Sequence, residues 1–246
     1  MSHMERRAYR LYRALWSSLD LLYPPCCGGC GRAGSRWCVD CQATASLIRP
    51  PYCRVCGQLL DQPGVCRICL TNRPAFSALR SWAVHAGPVR NALIKLKYQR
   101  DMSLGDLLAR QLIQILDKTD WQVDLVIPVP LGVARLRERG YNQASLIARP
   151  LALGSGIPYS SRVLMRTRET RSQVGLSIEE RRENVHAAFV AQWTEVVGQS
   201  ILVVDDVATS GATLDACAEA ILTAGGKTVF GLTVSRAARR GLEADF

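Results

Sequence analysis

The sequence predicts an α/β protein: a parallel sheet with helices on both faces, preceded by a small cysteine-rich segment. Three observations predict it. Strand-like and helix-like runs alternate from about residue 75 to residue 234. Nine of the ten cysteines fall within the first 69 residues. The buried-type run 201–204 ends in two adjacent carboxylates, Asp205 and Asp206, after which the chain shrinks to Thr, Ser, Gly and Ala.

The totals agree with a globular chain. Of 246 residues, 48% are apolar and 21% charged. No apolar run approaches the roughly 20 residues that span a bilayer, and no signal peptide is expected. The net charge of +10 points to an anionic partner, nucleic acid or a phosphorylated small molecule. Residues 1–23 place Tyr12, Leu15, Trp16, Leu19 and Leu22 at helical spacing, with Arg6, Arg10 and Arg13 largely off that stripe. The expectation is an amphipathic helix packed on its own protein. Peripheral contact with a membrane, or with nucleic acid, is the alternative.

The segment 24–73 carries four cysteine pairs, each with two residues between the thiols: Cys27 and Cys30, Cys38 and Cys41, Cys53 and Cys56, Cys66 and Cys69. A tight turn at that spacing aims both thiolates at one tetrahedral ion, so eight ligands make two zinc sites. Gly31 and Gly57 follow the first and third pairs, where the backbone needs a positive φ. The unit therefore repeats, with two prolines at 50–51 between the copies. One ion is assigned to Cys27, Cys30, Cys38 and Cys41, the other to Cys53, Cys56, Cys66 and Cys69. Cross-braced pairing, first pair with third and second with fourth, is the alternative, and Cys26 is a substitute candidate for Cys27. All-thiolate sites leave no position for water, so both are structural. Metal binding supplies folding energy of order ~10 kcal/mol per site. Eight thiolates on two divalent ions lower the formal charge by four, from +10 to +6. Arg32, Arg36, Arg54 and Arg67 offer phosphate contacts, and Trp37 and Tyr52 offer stacking surfaces, to a single strand.

Residues 74–246 form the larger part. A strand is expected at 79–85. A helix follows at 88–98, with Pro88 in its first turn, and another at 104–116. A strand at 124–128 leads into an Arg-rich loop. Then come a helix at 142–152, an extended stretch at 163–168 and the strand 201–204. A helix at 213–224 packs Leu214, Cys217, Ala218, Ile221 and Leu222 on one face, with Gly225 and Gly226 as its stop. A strand at 228–234 closes the sheet. Cys217 is thus core, and His85 and His186 are read as structural. In such sheets ligands bind beyond the carboxyl ends of the strands, which is where Asp205 and Asp206 fall.

Small residues between a strand and a helix let backbone N–H groups crowd an anion, and the helix N-terminus adds partial positive charge. Thr209, Ser210, Gly211, Ala212 and Thr213 therefore make a phosphate cradle. Paired acids beside it suit a sugar phosphate: they accept from vicinal hydroxyls or hold hydrated Mg²⁺. A Walker-type loop is excluded, because the Gly-Lys-Thr at 226–228 has Ile221 where the first glycine belongs.

The run 201–213 resembles the phosphoribosyl pyrophosphate signature of type I phosphoribosyltransferases. Ala208 departs from it, replacing a larger aliphatic. The resemblance implies that Asp205 and Asp206 bind the ribose hydroxyls, and that Ala208, Thr209, Ser210, Gly211, Ala212 and Thr213 bind the 5′-phosphate. Val129, Pro130, Leu131 and Gly132, after the strand 124–128, take the pyrophosphate. Arg135 is the favoured cation there, ahead of Arg137 and Arg139. Together with "VPLGVARLRERGYNQA", "RTRETRSQVGLSIEERRENVHAAF", "LIKLKY" and the double zinc ribbon, the chain resembles the ComF family of competence-associated proteins. The polar segment 166–185 then reads as a hood over the site. Arg166, Arg168, Arg171, Gln173, Arg181 and Asn184 are its candidate contacts, and Gly175 and Ser177 its hinges. Arg135, Arg166 and Arg168 are the candidate catalytic cations.

The resemblance implies a type I phosphoribosyltransferase-like fold, binding of phosphoribosyl pyrophosphate with Mg²⁺, and a link to uptake or use of external DNA. The expected activity is phosphoribosyl transfer to an unassigned acceptor, in the cytoplasm or peripherally at the inner membrane. Single-stranded DNA and other DNA-uptake proteins are the expected partners. The alternative is a non-catalytic single-stranded-DNA-binding protein regulated by phosphoribosyl pyrophosphate.

Overall fold

The computed structural model describes residue 9 and residues 24–168 and 187–237. The expected helix over 1–23, apart from Tyr9, lies outside the described residues, as do His186 and 169–185 of the expected hood.

The chain alternates as expected. The two ribbons contribute α1 (Val39–Thr44) and α2 (Arg67–Thr71). Then follow β1 (Ala78–Val84), α3 (Gly87–Tyr98), α4 (Leu104–Leu116), β2 (Leu125–Pro128), α5 (Val133–Arg139) and α6 (Gln143–Ser155). A short hairpin of β3 (Leu164–Arg166) and β4 (Phe189–Ala191) precedes α7 (Trp193–Val196). The chain then runs through β5 (Ser200–Ala208), α8 (Ala212–Thr223) and β6 (Thr228–Arg236). The main sheet has the order β1-β6-β5-β2, and each neighbouring pair is parallel. β3 and β4 pair antiparallel as a separate two-stranded sheet.

The strand β5 reads as a continuous apolar run because both its faces are covered. Ile201 and Val203 join a core with Leu214, Cys217 and Ile221 of α8, and with Leu164 and Phe189 of the hairpin. Leu202 and Val204 join the opposite core, with Leu93 and Leu96 of α3, Leu108 and Leu112 of α4, and Ile147 and Leu151 of α6. Cys217 is fully buried in the first of these, as expected of a packing thiol.

Two local expectations are corrected, and two short elements were not foreseen. The Arg-rich stretch after β2 is not loop throughout but helical over Val133–Arg139. It has no buried residue, so there is no apolar stripe for periodicity to reveal. β5 does not stop at Val204 but runs through the acid pair to Ala208, because β6 continues alongside: Asp205 registers with Thr233 and Ala208 with Arg236. The hairpin partner β4 and the short α7 carry too few residues for a periodic pattern.

The four thiols of each ribbon gather as the sequential pairing requires. Cys27, Cys30, Cys38 and Cys41 form one group, and Cys53, Cys56, Cys66 and Cys69 the other, with ligand atoms within 4.8 Å of one another. This grouping rules against the cross-braced alternative, and Cys26 is exposed and outside both groups. Gly31 and Gly57 have φ of 82° and 70°, the conformation expected at the knuckle turns. The first cysteine of each group accepts backbone N–H bonds from the third, Cys38 to Cys27 at 3.4 Å and Cys66 to Cys53 at 3.3 Å. Burial pushes both thiols up, but N–H donors, those of Cys30 and Cys38 for the one and of Cys66 and Cys56 for the other, pull Cys27 down to about 6 and Cys53 to about 7. Burial pushes Cys41, Cys56 and Cys69 up instead, so it is the gathering of four thiols around one point in each ribbon that fits zinc.

Candidate functional site

Parallel pairing puts the carboxyl ends of all four strands at one end of the sheet. A cleft of about 880 Å³ opens there, lined by residues from the ends of β1, β2 and β5 and from α3, α5 and α6.

Successive residues of a strand point to opposite faces. Asp205 and Asp206 therefore leave the strand on opposite sides, while their carboxyls stay close enough to act on one another. Asp206 turns to the α3 and α6 side and is 4% exposed. Lys97, in the last turn of α3, forms an ion pair with its Oδ2. Gln143, the first residue of α6, donates from Nε2 to its Oδ1 at 3.4 Å. Arg139 in turn donates to Gln143 Oε1. Asp205 is half-buried, and its Oδ1 accepts from the Asp206 N–H at 2.8 Å. Burial and the neighbouring Asp206 charge push the Asp205 carboxyl well above its usual range. Burial alone would raise Asp206 as well, but the Lys97 ammonium overrides it and holds that carboxyl below its usual value. The site thus carries one acid held ionised and one biased toward its neutral form.

The turn after β5 is closed by Gly211, whose φ of 87° places it in the left-handed region. It forms the N-cap of α8, and Ser210 Oγ accepts from the Ala212 N–H at 3.3 Å. The first N–H groups of a helix lack intrahelical partners and attract anions. Ala208, Thr209, Gly211, Ala212 and Thr213 all line the cleft. Ala208 is 2% exposed, packed in the core with α8 and the hairpin, and its carbonyl accepts from the Ala237 N–H at 2.9 Å.

The second wall comes from β2. The Val129 N–H donates to Val204 O at 2.9 Å, and Asn142 Nδ2 donates to Val129 O at 2.9 Å, which fixes the loop beside β5. Val129, Pro130 and Leu131 line the cleft. On α5, Arg135 and Arg139 lie one turn apart and both reach it, while Arg137 is exposed elsewhere. Arg166 lines the cleft too, its guanidinium 5.5 Å from the centre of the Phe189 ring. Gly132, Ser210 and Arg168 are not among the lining residues.

Other lining residues escaped sequence reasoning: His85, Lys97, Tyr98, Arg100, Glu138 and Gln143. His85, read as structural, lines the cleft, and its Nδ1 shares a hydrogen bond of 2.8 Å with Ser235 Oγ. Burial and the nearby Lys97 charge lower its pKa. Arg139 lies 5.2 Å over the ring of Tyr98. The "LIKLKY" stretch is the signal that marks Lys97 and Tyr98, but a lysine in a last helical turn also reads as a complement to the helix dipole.

No helix among the described residues is long and apolar enough to cross a membrane.

The double zinc ribbon domain model matches residues 18–70. Among solved structures, glutamine phosphoribosylpyrophosphate amidotransferase from B. subtilis, complexed with ADP and GMP, is 23% identical with a TM-score of 0.35, covering 54% of this chain and 25% of that one. Adenine phosphoribosyltransferase from Thermoanaerobacter pseudethanolicus is 16% identical with a TM-score of 0.35, covering 54% and 70%. Likenesses at that level carry no argument about activity. The sequence relatives are stronger. DNA utilization protein YhgH of Salmonella typhimurium is 32% identical over 203 residues, covering 79% of this chain and 88% of that protein. Competence protein F of Haemophilus influenzae is 32% identical over 198 residues, covering 77% and 86%. Competence protein ComFC of Bacillus subtilis is 26% identical over 217 residues, covering 85% and 84%. With this identity extending over most of both chains, the protein belongs to the ComF family of competence and DNA-utilization proteins.

Proposed function

We propose that the cleft binds phosphoribosyl pyrophosphate and that the protein transfers its phosphoribosyl group to an acceptor in DNA uptake or utilisation. One observation carries this reading: Ala208, Thr209, Gly211, Ala212 and Thr213 of the cradle, the acid pair, and Val129, Pro130 and Leu131 of the loop, distant in sequence, line a single cleft at the strand ends. The fold is then of the type I phosphoribosyltransferase kind, with the division into 1–23, 24–73 and 74–246 retained. The names of the relatives, "DNA utilization" and "competence", support the cellular setting. Single-stranded DNA and other DNA-uptake proteins are the proposed partners, and the cytoplasm, with peripheral contact at the inner membrane, the proposed location.

In this reading the N–H groups of the α8 N-terminus and the hydroxyls of Thr209, Ser210 and Thr213 hold the 5′-phosphate. Asp205 and Asp206 orient the ribose diol. Val129, Pro130 and Leu131 cradle the pyrophosphate, with Gly132 ending the loop, and Arg135 and Arg166 face the charge that grows on it as the C1–O bond breaks; Arg168 would have to turn in from outside the cleft lining to join them. Preorganised cations at that point stabilise a transition state of oxocarbenium character. Mg²⁺ fits on the donor rather than in a protein cage, because it keeps waters and takes substrate phosphates with one or two carboxylates; Asp205 is the candidate here. When bound, it neutralises the leaving pyrophosphate.

Calorimetry with Mg²⁺ and phosphoribosyl pyrophosphate tests the donor. Wild type is expected to bind, and the double variant Asp205→Asn, Asp206→Asn to lose binding; retained binding refutes the assignment. Pyrophosphate release across a panel of bases, amines and oligonucleotides tests transfer. Release with one class names the acceptor. No release with any, beside tight oligonucleotide binding, favours the regulatory alternative.

A further inference from the structure

Two carboxylates side by side at a polyphosphate site are what a hard divalent cation ordinarily selects. Here one of them is engaged from within the chain. The Lys97 ammonium pairs with Asp206 Oδ2, its side chain 22% exposed against 6% for the acid. Gln143 occupies Oδ1, and Arg139 holds Gln143 in turn. The Lys97 backbone is fixed by the helix: Tyr141 donates from its hydroxyl to the Leu96 carbonyl, and Leu93 and Leu96 are buried against the sheet. A cation of charge +1 is thus built into the place where Asp206 would coordinate a metal.

We propose that Lys97 is a positioning residue that serves as the fixed counter-ion of Asp206, so that Asp206 is not a metal ligand. Asp205 is then the acid left to meet the ligand, and Asp206 acts through it by its N–H bond to Asp205 Oδ1. The substrate consequence is specific. Any Mg²⁺ carried by the donor meets Asp205 and not Asp206. The meaning for the donor rests on the reading above, whereas metal binding by the ligand-free chain does not.

Mn²⁺ alone is the probe, counted by electron paramagnetic resonance on zinc-replete protein; thiolate zinc sites are poor hosts for Mn²⁺. Wild type is expected to bind no Mn²⁺ at the acid pair. Lys97→Met is expected to gain one site, tighter than any in wild type by about tenfold or more, and Lys97→Met combined with Asp206→Asn to lose it again. Lys97→Arg, which keeps the charge, is expected to behave as wild type. A folded Lys97→Met chain that gains no site overturns the proposal. Should that variant be insoluble, wild type decides: a Mn²⁺ site in wild type that Asp206→Asn abolishes overturns it equally. A wild-type chain that binds no phosphoribosyl pyrophosphate sinks the donor reading of the cleft, while the Mn²⁺ count still decides the place of Lys97.

Discussion

The two ribbons are copies in sequence and unlike in position. In the first, Cys30 is exposed and Cys38 half-exposed, and its cysteines join neither core among the described residues. It leans on α3 through Asn91 Nδ2 to Gly29 O at 3.0 Å and Lys95 Nζ to Cys27 O at 2.8 Å. In the second, all four cysteines are buried and share a core with β5, α8 and the hairpin. The Leu79 N–H donates to Val55 O at 2.7 Å, and buried Arg236 donates from Nε to Gln58 Oε1 at 3.1 Å. The segment that follows reaches α8 directly, the Ala75 N–H donating to Asp215 Oδ1 at 2.6 Å. One coordination chemistry therefore serves two ends: the first ribbon packs Trp37, Ala45 and Leu47 on the core with its cysteines left outside, whereas in the second the cysteines themselves are part of the core beneath the cleft.

The strongest way to break that contrast is to remove a ligand from each. Cys53→Ser or Cys66→Ser is expected to unfold the whole protein. Loss of order ~10 kcal/mol of metal-linked energy rivals a typical domain's entire stability of about 5–15 kcal/mol. Cys30→Ser is expected to lose one zinc, shift Tm modestly and leave the sheet and donor binding intact. Zinc content with near-ultraviolet circular dichroism separates the outcomes; equal damage from both would erase the distinction.

Substitutions at the two knuckles sharpen it. A Cβ at Gly57 would lie 2.5 Å from the Leu79 carbonyl oxygen, backbone that cannot swing aside, at φ +70°. At Gly31, also left-handed, its nearest neighbour is Lys95 Nζ at 3.9 Å. Gly57→Ala is expected to cost roughly 2–4 kcal/mol and Gly31→Ala about 1–2 kcal/mol, read from denaturant midpoints. A chelator is expected to extract the zinc of the first ribbon ahead of the other in a two-phase release, as exposure of Cys30 allows; a single phase would count against unequal shielding. The smallest effect belongs to the exposed pair of Arg32 and Asp40 on the first ribbon. Arg32→Ala is expected to leave Tm unchanged within error, as is usual for solvated ion pairs.

What the sequence revealed follows the same divide between local and distant causes. Paired thiols, knuckle glycines and the acid pair on a buried strand are local chemistry, and each was legible; that β5 continues past the acids to Ala208 was not, because the length of β6 decides it. The unequal burial of the ribbons was not, because it depends on Leu79, Arg236 and α8, far along the chain. Lys97 was hidden for a related reason. Its spacing fits any helix end, and only packing against β5 brings it to Asp206. The helix α5 was missed because it buries nothing, so Arg135 and Arg139 showed as charge without a face.

The register of β1 with β6, Ala78 opposite Phe230, also has a temporal side. As the chain emerges from the ribosome, both ribbons and β1 are exposed long before β6 is made. Until then the second ribbon has no finished wall to lean on, and early metal capture is what can hold it in shape. A chain made under zinc limitation is therefore expected to reach its native form less often.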